Sequence, residues 1–235
     1  VPAPLRHLAS DVSQHLPYFK GHDFIIKGSG RPEDWFIGQA HVFEEKDAYD
    51  ILRPKYRVGP TAREVAAPIY DRVKDLSELE KKQYLDLNLW LPGDILLKAD
   101  KMSMAHSLEL RVPFLDRNML DVALSIPQKY RSGKESTKIA LRGAAMKQLP
   151  ESVAHRKKLG FPVPLNDWLR EDKYYNMVKE KFTGPVAEKF FNVDEIMRLL
   201  DDHKAGKAKN MTKIWSFYSF ILWYELYFVN TQAPA

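Results

Sequence analysis

The sequence contains no cysteine among its 235 residues. This absence excludes a disulfide framework, a metal site built on thiolates and a cysteine nucleophile, and it favours a cytoplasmic chain. A membrane-spanning segment is also lacking. The most apolar stretch, residues 214–229, is interrupted by Glu225 and is shorter than the roughly 20 residues that a spanning helix needs. We therefore predict no membrane association and a buried helix at 214–229 with neighbours on more than one side.

Strand patterns, metal-ligand spacings and nucleic-acid signatures are scarce as well. Residues 24–26 are the only short strand candidate. The seven histidines show no spacing such as HExxH, so we predict no metal held by the protein. Basic residues are scattered among acidic ones without interleaved aromatic side chains, which argues against nucleic-acid binding. The net charge of +5 suits an anionic ligand, but it also fits many proteins that bind none.

Helical periodicity is what the sequence does contain. Apolar residues recur at helical spacing along most of the chain, which predicts an all-α (mainly α) single domain over residues 1–235 with a loose tail at 231–235. Thr61 is expected to cap one helix, and Ser77 with Glu80 forms a capping-box signature for the next. Pro92 is expected to begin a further helix that reaches Ser107. The other predicted helices cover residues 6–16, 45–52, 118–125, 137–148, 174–182 and 194–204.

The most distinctive segment is residues 91–116, LPGDILLKADKMSMAHSLELRVPFLD, whose core is ELRVPFLD. It is followed in order by KIALR at 138–142, LPE at 149–151, RKKLGF at 156–161, Pro164 and Trp168. Together these motifs resemble the asparagine synthetase family. The resemblance implies a ligase in which a C-terminal synthetase domain activates the side chain of aspartate with ATP, forming β-aspartyl-AMP. Ammonia, released from glutamine by a separate N-terminal glutaminase domain, then displaces AMP.

Two family motifs do not occur in the chain. The synthetase domain of the family carries a Ser-Gly-Gly-X-Asp-Ser phosphate loop and an acidic Gly-Glu-Gly-X-Asp-Glu segment, and this sequence contains neither. The resemblance therefore implies the C-terminal helical portion of an α/β adenine-nucleotide α-hydrolase-like synthetase domain, with the sheet-bearing half absent. By the same resemblance, the absent segment would bind most of ATP and Mg, and the chain alone would be inactive.

The resemblance also implies partners. They are ATP, aspartate, ammonia from a glutaminase domain and the remainder of the parent protein. The chain's lack of cysteine places the glutaminase reaction outside it. Whether the chain forms a homo-oligomer stays open.

Lys138 is the predicted catalytic residue. It matches the lysine of the family's Lys-X-X-Leu-Arg element, which contacts phosphate and stabilises negative charge as the adenylate forms. Arg142 follows four residues later, so the two side chains are expected on one helical face, with Arg142 a second candidate near the substrate. On spacing alone, a solvated lysine is the common outcome, and the family resemblance reverses that preference.

Glu109 and Arg111 are further candidates near the substrate. They precede Pro113, which bars helix and holds the backbone extended or turned. Such a rigid loop presents charges to a ligand, or else the two residues form a structural ion pair, and the sequence leaves both readings open. Asp116 is expected to cap the following helix.

Three more charged residues complete the candidate site. Asp100 resembles the aspartate of the family's Asp-Arg-X-Ser-Met segment, although Lys101 replaces the arginine and removes its bidentate fork. Lys157 and Lys158 belong to a basic run that either meets pyrophosphate or lies solvated.

Two alternatives to asparagine synthesis remain. A family relative that adenylates another carboxylate, as in β-lactam formation or peptide modification, would share these motifs. A non-catalytic helical interaction module would keep the fold and bind a partner instead.

Overall fold

We analysed a computed structural model of the chain, which describes residues 32–38, 41–133, 136–157 and 163–230 and the single positions Leu5, Leu8, Ala9, Val12, Ile25 and Gly160. The mainly α prediction is confirmed for this part of the chain, where β pairing is limited to two isolated bridges, Leu52 with Phe191 and Ser132 with Thr137. Apart from single positions, the predicted helix at 6–16 and strand at 24–26 lie outside the described residues, as does the tail at 231–235.

The described α-helices are short and follow one another closely along the chain. They are α1 Pro32–Trp35, α2 Glu45–Ile51, α3 Ala62–Tyr70, α4 Glu78–Asn88, α5 Leu97–Met104, α6 Arg117–Ser125, α7 Gln128–Arg131, α8 Ile139–Ala145, α9 Glu151–Ala154, α10 Leu165–Trp168, α11 Asp172–Phe182, α12 Pro185–Phe190, α13 Val193–Lys204 and α14 Met211–Tyr224. Tighter 3₁₀ turns occur at Pro54–Tyr56, Asp71–Val73 and Pro113–Leu115, and wider π-helical turns at Leu91–Leu96 and Glu225–Val229.

The chain forms two compact units. The first combines Val1–Leu97 with Pro164–Ala235, and the second is Lys98–Val163. The single-domain interpretation of residues 1–235 stays a prediction, because two compact units can belong to one domain.

The core of the first unit lies among α11, α12, α13 and α14. Phe182, Ile196, Leu200, Ile214 and Ile221 are all fully buried there. Burying one such side chain stabilises the fold by about 1.5–3 kcal/mol, so this cluster accounts for much of the unit's stability. Two backbone bonds join α2 to the segment after α12, from Arg53 N to the carbonyl oxygen of Phe190 (2.9 Å) and from Asn192 N to that of Ile51 (2.7 Å).

The predicted helix starts at Thr61 and Ser77 are confirmed. The hydroxyl of Thr61 accepts a bond from the N–H of Glu64 (3.1 Å), and the Glu64 carboxylate accepts one from the N–H of Thr61 (2.7 Å). Ser77 and Glu80 form the same reciprocal pair. These boxes satisfy N–H groups that a helix start leaves without partners.

His203 is a fully buried polar residue in the core of the first unit. Its Nδ1 accepts a hydrogen bond from the N–H of Asn210 (3.2 Å), which leaves Nε2–H to donate to the carbonyl of Asn166 (2.9 Å). The imidazole is therefore a neutral structural link between the end of α13, α10 and the start of α14. Nothing in the spacing of the histidines indicated this role.

The apolar stretch at 214–229 is helical but only partly buried. Ile214, Phe217 and Ile221 face the core, whereas Trp223 and Phe228 are about half exposed at 48% and 57%. Among the described residues this helix contacts α11, α12 and α13, whereas the surface that carries Trp223 and Phe228 is open to solvent. None of the described helices combines the length and the apolarity that crossing a bilayer requires.

The second unit has almost no core of its own. Ala154 is the only buried hydrophobic residue in the part of 98–163 that the structure describes.

The predicted helix start at Pro92 is not observed. Pro92 lies in the π-helical turn Leu91–Leu96 instead of beginning an α-helix, which is consistent with its missing N–H. The helix that follows, α5, ends at Met104 and leaves Met102 63% exposed.

Candidate functional site

An open cavity of about 460 Å³ lies within the second unit, around α8 and α9. Its wall has an apolar part and a basic part. The apolar part is formed by Leu141, Ala145, Leu149, Val153 and Ala154, and the polar part by Thr137, Lys138, Arg142, Arg156 and Lys157. Residues 138, 142, 145 and 149 recur at helical spacing, so α8 and the turn after it supply one continuous side of the cavity.

Lys138 stands immediately before α8 rather than inside it. Its backbone adopts a left-handed conformation, with φ 59° and ψ 38°, at the N-cap position of the helix. Before Lys138, hydrogen bonds run from Lys138 N to the carbonyl oxygen of Arg131 (2.8 Å) and from Gly133 N to that of Ser136 (2.8 Å). The expected helix start at Thr137 is therefore wrong by two residues, although Lys138 and Arg142 still line the same cavity.

Arg142 directs its guanidinium group at main-chain carbonyl oxygens. Nε donates to Thr137 (3.1 Å), Nη1 to Ala154 (2.6 Å) and Arg156 (3.2 Å), and Nη2 to Arg156 (3.1 Å). The side chain thus joins the segment just before Lys138 to the segment that carries Arg156. Arg142 spans the cavity wall from one basic segment to the other.

The remaining predicted site residues divide into two groups. Lys157 lines the cavity, and Lys158 lies outside the described residues. Asp100, Glu109 and Arg111 are exposed and do not line this cavity.

The loop after α5 contains an ion pair. Arg111 Nη2 lies 2.7 Å from Glu109 Oε1, with side chains that are 83% and 69% exposed. Such an exposed pair contributes little to stability. Asp116 accepts bonds from the N–H groups of Asn118 (2.9 Å) and Met119 (3.4 Å), so the prediction that it caps the following helix is confirmed.

The electrostatics of the second unit are strongly positive. Residues 98–163 contain 13 Lys and Arg against 6 Asp and Glu, a net charge of +7, whereas the whole chain has +5. Among the described residues, the cavity cations Lys138, Arg142, Arg156 and Lys157 form no ion pair with a carboxylate. Clustered cations that are not paired with carboxylates attract an anion.

Sequence reasoning missed the apolar wall of this cavity and did not select Arg156. The signal was present in the spacing of Leu141, Ala145 and Leu149, which places three apolar residues on the α8 face beside Lys138. No group of three His, Asp or Glu residues suited to a metal ion occurs in the described ranges.

The profile of the asparagine synthase family matches residues 18–225, which include the whole cavity. The chain belongs to the asparagine synthase family. The resemblance first seen in the motifs between residues 91 and 168 is thereby confirmed.

Asparagine synthetase relatives match along the entire chain. Glutamine-hydrolysing asparagine synthetase 1 of Bacillus subtilis is 38% identical over 238 residues, covering 100% of this chain and 37% of the relative. A Mycobacterium tuberculosis protein, also named as a glutamine-hydrolysing asparagine synthetase, is 35% identical over 235 residues, covering 100% of this chain and 36% of the relative. The Rattus norvegicus asparagine synthetase is 28% identical over 135 residues, covering 51% of this chain and 24% of that protein.

The chain spans little more than a third of the length of its bacterial asparagine synthetase relatives. No solved structure matches it significantly.

Proposed function

We propose that this chain is the phosphate-facing helical part of an ATP-dependent synthetase that forms asparagine from aspartate. In this proposal the cavity around α8 receives the anionic phosphates of ATP or the departing pyrophosphate. The remaining parts of the reaction, including ammonia supply from glutamine, lie in the rest of a full-length protein that carries this chain.

The observation that carries the proposal is the group of four cations that line one cavity and form no ion pair with a carboxylate among the described residues. Negative charge builds on the phosphates and the leaving pyrophosphate as an acyl adenylate forms. Fixed cations lower the energy of that state because they are oriented before the reaction begins. Lys138 supplies a compact ammonium, and Lys157 and Arg156 supply further charge from the opposite segment.

The apolar wall contributes to the same effect. Leu141, Leu149 and Val153, each about half exposed, border the basic groups and exclude part of the surrounding water from the cavity. Charge interactions are stronger in such surroundings than in bulk water. The apolar wall therefore strengthens the attraction between the cavity cations and an anion.

Magnesium does not fit the residues that line this cavity. The described lining residues are basic, apolar or hydroxyl-bearing, and none is a carboxylate. Mg²⁺ prefers carboxylate, phosphate and water oxygens. We therefore assign no step of the reaction to a metal held by this chain.

Lys138→Gln in the full-length protein tests the proposal. We expect aspartate-dependent release of pyrophosphate from ATP to fall about a hundredfold or more, because one well-placed donor is lost from the transition state. Hydrolysis of glutamine should continue at its normal rate. The control is Lys147→Gln, at an exposed lysine two residues beyond the end of α8 that does not line the cavity, and it should leave both rates unchanged.

Two outcomes would contradict the proposal. Normal pyrophosphate release by the Lys138→Gln variant would show that Lys138 does not act at the phosphate site. Pyrophosphate release that depends on another carboxylic acid instead of aspartate would favour a relative with a different substrate. The isolated 235-residue chain is expected to release no pyrophosphate, since the sequence contains no phosphate loop.

A further inference from the structure

Arg142 shares the cavity with Lys138 but makes a different kind of contact. Its guanidinium donates to the main-chain oxygens of Thr137, Ala154 and Arg156. We infer that Arg142 is a positioning residue that fixes Lys138 and the Arg156–Lys157 segment relative to each other, and that it does not itself bind phosphate. This inference rests on the proposed function of the cavity.

The donors of the guanidinium are largely used by the protein. Its five N–H groups lie in one plane, and the four bonds to carbonyl oxygens, between 2.6 and 3.2 Å long, engage all three of its nitrogens. A phosphate oxygen would have to displace at least one of these bonds before Arg142 could grip it in a bidentate way. Lys138, in contrast, has no side-chain hydrogen bond or ion pair from its ammonium to any described residue.

The positions of the accepting carbonyls explain what the contact does. Thr137 directly precedes Lys138, whose left-handed backbone is unfavourable for a residue with a side chain. The Arg142 side chain and the bond from Lys138 N to Arg131 together fix the peptide group between Thr137 and Lys138. On the other side of the Lys138 Cα atom, the carbonyl of Lys138 accepts a hydrogen bond from the N–H of Arg142 (2.9 Å). A costly conformation persists when the surroundings determine it in this way.

The second contact fixes the other basic segment. Ala154 ends α9, and its carbonyl would otherwise lack an intrahelical partner. Arg142 takes up this carbonyl and that of Arg156, so the chain leaves α9 along a defined path that brings Arg156 and Lys157 to the cavity. One side chain therefore sets both basic borders of the cavity.

A lysine cannot replace this function. Lysine carries the same charge, but its ammonium is a single point and lacks the planar fork that reaches three carbonyls at once. A residue that only supplied charge would tolerate Arg142→Lys. A residue that positions two segments would not.

Limited trypsin digestion of the full-length protein is the first part of the test. In Arg142→Lys we expect cleavage after Arg156 and Lys157 about tenfold faster than in the unchanged protein, because the bonds that restrain this segment are lost. The matched control is Arg117→Lys, which makes the same exchange at an exposed arginine of α6 outside the cavity. Unchanged cleavage in Arg142→Lys would overturn the inference.

A double-mutant cycle with Lys138→Gln is the second part. If Arg142 acts through Lys138, the loss of pyrophosphate-release turnover in the double variant should fall short of the product of the two single losses by about tenfold. We expect Arg142→Lys to lower kcat more than it raises the KM for ATP. Single losses that multiply to within a factor of about two would assign Arg142 an independent contact with the substrate and overturn the inference.

Two further measurements keep the outcomes separate. Millimolar guanidinium should restore trypsin resistance to Arg142→Ala, whereas a variant that had simply failed to fold would not recover. If Lys138→Gln proves fully active, the proposed function fails, and the inference about Arg142 is then tested only by the trypsin digestion of Arg142→Lys. Faster cleavage would then still support the role of Arg142 as a positioning residue, and unchanged cleavage would reject it.

Discussion

At the scale of single residues, Lys138 combines an exposed charge with a left-handed backbone. Left-handed conformations cost a residue with a Cβ atom roughly 1–2 kcal/mol. Backbone strain of this kind is common at functional sites, and here it occurs beside the cavity around α8. A left-handed backbone at Lys138 therefore lowers the stability of the fold, but it fixes the direction in which the lysine side chain leaves the backbone.

We predict that Lys138→Gly is more stable than Lys138→Ala, by about 1 kcal/mol in the free energy of unfolding. The usual order of glycine and alanine is reversed because φ is 59° at this position. Urea denaturation of both variants measures the difference.

The same exchange at Ala140, inside α8, is the control, and there alanine should be the more stable residue by up to about 1 kcal/mol. An alanine variant at Lys138 that equals or exceeds the glycine variant would show that the left-handed conformation is wrong.

The sequence predicted the participants of the site better than their roles. Lys138, Arg142 and Lys157 were selected from the motifs, and the structure brings all three to one cavity. Their catalytic and substrate roles stay predictions. The carbonyl bonds of Arg142 were not predictable, because they depend on how the segment after α9 returns to α8, which is a tertiary feature.

At the scale of elements, local signals located most helices. The helices predicted at 45–52, 118–125, 174–182 and 194–204 are present with ends that shift by at most two residues. The capping residues Thr61 and Ser77 mark their helices because hydroxyl-to-backbone bonds depend only on neighbours in the sequence. Short helices such as α10 and α12 were missed, since four to six residues provide too little periodicity.

We predict that Ser77→Ala lowers the free energy of unfolding by about 1 kcal/mol, because the N–H of Glu80 loses its acceptor at the start of α4. Ser77→Asp, which keeps an accepting oxygen at the same place, should cost less than about half of that amount. Chemical denaturation of the two variants provides the comparison. Equal losses would mean that the cap does not stabilise α4.

A side-chain hydrogen bond links α11 to α13. The hydroxyl of Tyr175 donates a hydrogen bond to Asp201 Oδ1 (2.6 Å). This bond, together with partial burial and the negative charge of Asp201, raises the pKa of Tyr175 to about 12. The pKa is raised above the ordinary value of 10.0, so the interaction stabilises the fold fully below about pH 10 and is lost as the pH rises towards about 12.

We therefore predict that Asp201→Ala lowers the pKa of Tyr175 towards its ordinary value. Near-ultraviolet titration of tyrosinate, taken as the difference from a Tyr175→Phe variant, would follow this single group. Asp202→Ala removes the neighbouring carboxylate, which pairs with Arg198 instead, and should leave the titration of Tyr175 unchanged. A midpoint that does not move in Asp201→Ala would contradict the hydrogen bond as its cause.

At the scale of the whole molecule, charge and apolar surface are distributed unevenly. The second unit carries a net charge of +7 and buries one hydrophobic residue among those described, whereas the first unit contains the aromatic and aliphatic core around Phe182 and Ile214. The sequence composition indicated a chain able to form a core. Composition alone does not show where along the chain that core forms.

The end of α14 presents an aromatic patch that consists of Trp223, Tyr227 and Phe228. The ring centres of Trp223 and Phe228 are 5.1 Å apart and those of Trp223 and Tyr227 are 6.3 Å apart, so the three exposed rings are contiguous. Contiguous apolar surface gains about 25 cal/mol for each Å² that leaves water. Patches of this kind favour association, unlike single exposed apolar residues.

We predict that the isolated 235-residue chain self-associates with increasing concentration and binds an apolar dye. Replacing Trp223 and Phe228 together by Gln should weaken both properties, because it removes the two closest rings of the patch. The matched control is Val58→Gln, since Val58 is a 78% exposed residue far along the chain from the patch and should not change either measurement. Sedimentation velocity over a concentration series, combined with dye fluorescence, measures the effect. A monomer without dye binding at all concentrations would show that the exposed rings do not drive association.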